Sequence, residues 1–118
     1  MNEFPGDRAR LARILGEVEE SKKYLSKGKA AFFDAGDRST RDGAELHLTH
    51  ALETAVGMGK SFYQRNPSLP FRRIHEMRQR LTHAYAEVTP DELWRFARED
   101  LPRLERAFRK ATTREEER

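Results

Sequence analysis

Apolar residues recur along this chain at steps of three and four, the period of one face of an α-helix. Leu11, Ile14, Leu15, Val18 and Leu25 mark the first stripe and predict a helix from Asp7 to Leu25. Asp7 is placed to cap its start, and Ser26-Lys27-Gly28 to end it. A short helical piece from Lys29 to Asp34 carries Phe32 and Phe33 and should fold back onto the rest, before a turn at Gly36-Asp37. A long helix is expected from Arg38 or Thr40 to Tyr63, with Ala44, Leu48, Ala51, Leu52, Ala55, Phe62 and Tyr63 on one broad face. Gly57 and Gly59 fall inside it, each at a cost of about 1 kcal/mol relative to alanine. Close approach of another helix would offset that cost.

The segment Asn66-Pro67-Ser68-Leu69-Pro70 breaks the helical pattern. Phe71, Ile74, Met77, Leu81 and Tyr85 then form the stripe of a helix from Phe71 to Tyr85. The last helix opens on Thr89-Pro90-Asp91-Glu92, which offers an N-cap threonine, a proline at the first helical position and a glutamate at the third. Its seam continues through Leu93, Ala97, Leu101, Leu104, Phe108 and Ala111, and Pro102 predicts a kink near Arg98 to Leu101. Residues 112–118 read as a charged, frayed tail, leaving 1–111 as one helical domain. No strand alternation competes and no long-period repeat is visible. The expectation is an all-α, antiparallel four- to five-helix up-and-down bundle.

Composition narrows the class. Charged and apolar residues each make up 36% of the 118 positions, so much of every helix must face water. The net charge of +3 points toward an acidic partner such as RNA. With no cysteine, disulfides and thiolate metal sites are excluded. No apolar run approaches the roughly 20 residues of a membrane span, and Met1-Asn2-Glu3-Phe4-Pro5 lacks the features of a signal peptide. A cytoplasmic protein with no membrane partner is expected. No glycine-rich phosphate loop is present, and no cofactor is implied.

The candidate chemistry lies in Met77-Arg78-Gln79-Arg80-Leu81-Thr82-His83-Ala84-Tyr85. Gln79 and His83 are four apart and share a helix face. Arg78 lies about 140° round from His83, at the border of the apolar stripe, with a side chain long enough to reach the same groove. An imidazole can move a proton near neutral pH. A guanidinium can hold a phosphate and stabilise charge developing on its oxygens. Gln79 is placed to fix the imidazole tautomer. Phosphodiester cleavage by an RNA 2′-hydroxyl needs these roles and no metal. On spacing alone, a solvated helix end favoured by the macrodipole is the better reading, and Tyr85 fits as a core residue.

His47 and His50, with Glu53 a further three along, do not by themselves gather enough ligands at one point, so no metal site is expected there. Arg72-Arg73, Arg78 with Arg80, and Lys22-Lys23 offer an RNA track or ordinary solvated faces.

The run from Asn66-Pro67 through Phe71, Ile74, Met77-Arg78, His83 and Tyr85, with Val88, Trp94 and Asp100-Leu101-Pro102-Arg103-Leu104, resembles the HepT-like group of HEPN proteins. Tyr24-Leu25, Phe33, Leu52-Glu53 and Val56-Gly57 extend the likeness over nearly the whole domain. The motif here is Arg-x4-His-x-Tyr. Gln79 stands where the group usually has Asn, Asp or His, Ala84 where glycine often precedes the tyrosine, and Gly57-Met58 where a Gly-Glu pair is common. The resemblance implies a homodimer that brings two motifs into one cleft, and metal-independent endoribonuclease activity with Arg78 and His83 catalytic. It also implies a type VII-like HepT/MntA toxin–antitoxin pairing with a small nucleotidyltransferase, in which Tyr85 receives AMP groups that disarm the toxin. Gln79 is expected to support His83, and Arg72, Arg73 and Arg80 are the candidate RNA contacts that the charge clusters offer. Two other readings stay open: a non-catalytic helical module that partners a nucleotidyltransferase, and a plain helical dimerisation domain.

Overall fold

Helix α1 (Asp7–Leu25) forms where the first stripe predicts it, and buries Leu11, Ile14 and Val18. Its C-terminal Ser26 N–H donates to the Lys22 carbonyl. The computed structural model describes residues 6–83 and 88–118. Helix α2 (Lys29–Phe32) is a single turn whose Phe32 is fully buried, 4.9 Å from the Trp94 ring. That contact folds the segment back onto the bundle as expected.

Helix α3 (Ser39–Val56) packs against α1 along its length and against α5 (Phe71–Thr82). The long helix expected to reach Tyr63 ends at Val56, and a separate α4 (Lys60–Arg65) follows. Gly59 is the reason. It takes φ 90° and ψ 167°, a conformation essentially closed to other residues, and so redirects the chain. Neither glycine serves a close helix approach: a Cβ at Gly59 would meet open space, and one at Gly57 would touch only carbonyls of its own helix. The close approach is at Gly43, where an added Cβ would overlap the ring of Tyr24 from α1.

Helix α6 (Pro90–Arg95) begins with the full capping box. Thr89 Oγ1 accepts from the Glu92 N–H at 3.1 Å, and the Glu92 side chain reaches back to the Thr89 N–H. The kink expected from Pro102 takes the form of a π-helical turn, Phe96–Asp100, that leads directly into α7 (Leu101–Glu116). Widening the turn accommodates the proline ring and the missing donor without breaking the rod.

Residues 112–118 depart from the expected frayed tail, because α7 stays helical to Glu116. Glu115 is 4% exposed and accepts from Arg65 Nη2 at 2.8 Å, while the same nitrogen donates to Asp7 at 2.7 Å. Arg8 Nη2 donates to the carbonyls of Glu115 and Glu116, both at 3.1 Å. The tail looks solvated in one dimension, but its partners come from the start of α1 and the end of α4. Among the described residues there is no strand, and no helix is long and apolar enough to cross a membrane. The architecture is an all-α bundle.

Candidate active site

Helix α5 presents the motif. Ile74 and Met77 turn inward and are buried, which fixes its rotation. Arg78, next to Met77, is therefore half-buried at the edge of the apolar face, and Gln79 is exposed. His83 is the C-cap: its N–H donates to the Gln79 carbonyl at 3.0 Å, and its φ of −91° and ψ of 118° turn the chain out of the helix. The helix thus ends at Thr82, short of the expected Tyr85, which with Ala84 lies outside the described residues.

His83 lines a cleft of about 310 Å³ with Arg38, Glu45, Arg80, Leu81, Thr82 and Val88. An adjoining hollow of about 270 Å³ shares Arg38, Glu45 and Val88 and adds Arg41, Thr89 and Pro90. The cleft lies where the end of α5 meets the start of α3 and the approach to α6. Arg38, Arg80 and Glu45 line the cleft with the histidine, and Arg41 lines the adjoining hollow.

The cations are not equivalent. Arg80 reaches Glu92 at 2.6 Å, and Arg38 reaches Asp42 at 3.6 Å. Arg73 is bound to Asp100 at 2.7 Å and lies over the Phe96 ring, 5.7 Å from its centre. Arg72 is exposed. Arg78 has no ion pair among the described residues, and its Nε, like that of Arg80, is buried without a hydrogen-bond partner. A permanent cation with a desolvated, unsatisfied donor is costly to keep unless an anion or acceptor meets it.

The structure brings His83 and Arg80 into one cleft and places Arg78 and Gln79 beside it on the same helix, outside the cleft lining. Arg38, Arg41 and Glu45 escaped the sequence reading. Their spacing of three and four at the start of α3 was visible, but only the packing of α3 on α5 sets them opposite His83. The same holds for a second group. His47 and His50 lie not against Glu53 of their own helix but against Glu17 of α1, with one potential ligand atom of each residue within 4.8 Å of the others.

Burial pushes the Tyr63 phenol far above its ordinary range, and its hydroxyl donates to the Ala55 carbonyl at 2.6 Å. That hydroxyl ties α4 to α3 and is unsuited to proton transfer near neutral pH.

Comparison with known proteins follows the same direction. Residues 14–111 match the family model described as "Ribonuclease HepT-like". A protein of Thermococcus cleftensis named "Probable ribonuclease HepT" is 34% identical over 74 residues, covering 63% of this chain and 67% of the relative. No solved structure matches. The helical bundle, the histidine-bearing cleft at the end of α5 and a match reaching from α1 to the end of the core seam in α7 agree: the chain belongs to the HepT-like ribonuclease family.

Proposed function

We propose that this protein is a cytoplasmic, metal-independent endoribonuclease toxin acting as a homodimer, with His83 and Arg78 catalytic. The observation that supports this reading is a cleft-lining imidazole at the end of α5 and, on the same helix beside the cleft, a guanidinium that no carboxylate neutralises among the described residues. His83 takes the proton from the ribose 2′-hydroxyl, whose oxygen attacks the phosphorus. The 5′-oxygen leaves as the new bond forms and must receive a proton. Arg78 stabilises the charge on the non-bridging oxygens. One imidazole supplies one proton acceptor, so a second copy of the motif would furnish the donor. Arg72, Arg73 and Arg80 are assigned to RNA contact, although Asp100 and Glu92 already share the charge of the last two.

In this reading a nucleotidyltransferase antitoxin transfers AMP to Tyr85, as in a type VII-like HepT/MntA system. Tyr85 is two residues from His83 in the chain, and an added AMP brings negative charge that opposes binding of an RNA phosphate. Gln79 would support His83, and as a departure from the residue usual there it also suits the second reading, a non-catalytic helical module that partners a nucleotidyltransferase.

Purified protein with single-stranded RNA and chelator, beside His83→Ala and Arg78→Ala, decides between them. Each variant is expected to lose about a hundredfold or more in rate. If both cut as fast as the parent, the site assignment is wrong. If the parent does not cut but forms a tight complex with a nucleotidyltransferase, the binding module stands. Intact mass after co-expression tests Tyr85: a gain of whole AMP units that disappears in Tyr85→Phe supports modification, and an unmodified chain refutes it.

A further inference from the structure

We propose that Glu17, His47 and His50 bind one divalent transition-metal ion of the zinc class, which pins α1 to α3. The two histidines stand three apart on α3, and their Nδ1 atoms both approach the same oxygen of Glu17, at 2.8 Å and 3.5 Å. One potential ligand atom from each residue lies within 4.8 Å of the others. Ligands bound to zinc at about 2.0–2.1 Å in a tetrahedron stand about 3.3–3.4 Å apart. The two His–Glu17 separations bracket that edge, and the histidine nitrogens lie within 4.8 Å of each other, so an ion would draw the imidazoles toward a common point.

The donor set suits an ion: two imidazoles and a carboxylate are the nitrogen and oxygen ligands that zinc, cobalt and nickel accept. The side chains are partly sheltered yet reachable, at 21% exposure for Glu17, 22% for His47 and 42% for His50. His47 is also held in place: the Tyr24 ring stacks on it at 5.8 Å and 26°, in the space that Gly43 leaves open. Three protein ligands leave a fourth position for water.

This site is separate from the cleft. Glu45 lines the cleft, and His47, two residues on, points about 200° round the helix from it. The ion therefore acts as a staple between helices and takes no part in the cleavage proposed above.

The test uses untagged full-length protein stripped with chelator, titrated with Co²⁺ and followed by its visible d–d absorption, with Zn²⁺ as competitor. One equivalent of Co²⁺ should give a saturating band, Zn²⁺ should displace it, and Zn²⁺ should raise the melting temperature. His50→Ala and Glu17→Gln should weaken binding about tenfold or more, with circular dichroism showing that both remain folded. His75→Gln should bind as the parent does. Absence of a saturable band, or a band unchanged in His50→Ala and Glu17→Gln, overturns the proposal. RNA cleavage in chelator is independent of either result, so the two readings fail separately.

Discussion

Replacing Gly43 by alanine sets two calculable effects against each other. Alanine in a helix interior is favoured over glycine by about 1 kcal/mol. The new methyl group, however, would occupy the position of the Tyr24 ring, which must move outward. That ring is half-buried and stacked on His47 at 5.8 Å. Displacing it forfeits an aromatic contact of about 0.5–1.5 kcal/mol. It also gives up about half of the 1.5–3 kcal/mol that full burial of a large side chain contributes. The loss outweighs the gain, and Gly43→Ala should destabilise the fold by about 1 kcal/mol. For a chain of this length the unfolding entropy is about 0.25 kcal/mol per degree, so the melting temperature should fall by about 4 °C. In a Tyr24→Ala background the obstacle is gone and the sign reverses: Gly43→Ala should then raise the melting temperature by a similar amount. A double-mutant cycle by thermal denaturation measures both. If Gly43→Ala raises the melting temperature in the parent as well, the packing of α1 on α3 does not depend on a missing side chain and the reasoning fails.

Gly59→Ala should cost about 1–3 kcal/mol, because alanine cannot hold φ 90° with ψ 167° without strain; an unchanged urea midpoint would contradict that. The hydrogen bond from Arg65 holds the Glu115 carboxyl below its ordinary value of 4.5, despite the opposing effect of burial. The folded-state value is thus lower than the unfolded one, so this stabilisation is complete above about pH 4.5 and is lost as pH falls through the folded value. Glu115→Gln should lose stability at neutral pH and show a shallower decline in melting temperature on acidification than the parent. Parallel declines would show that Glu115 does not report on acid unfolding.

Most of the helical content was legible along the chain, because burial of one face imposes a three-to-four period on local sequence. The limits of α1 and the Thr89–Glu92 cap are cases in which every determinant lies within a few residues. The break at Gly57–Gly59 is not legible as a break, since glycine in a helix and glycine in a positive-φ turn look alike until the chain direction on either side is known.

For the site, sequence supplied the residue types of the Arg78–His83 segment and, by resemblance, the family. The surroundings of those residues depended on which helices lie beside α5. Arg38, Arg41 and Glu45 reach the cleft from α3, Glu92 draws the charge of Arg80, and Arg78 is left without a counter-ion among the described residues. Glu17 joins His47 and His50 from thirty or more positions away, and Arg65 clasps Glu115 across fifty. Local periodicity encodes how each helix turns its faces. Which polar groups meet across those faces is decided by long-range packing, where the apolar stripes lock in a single arrangement and bring charges together that no spacing rule connects.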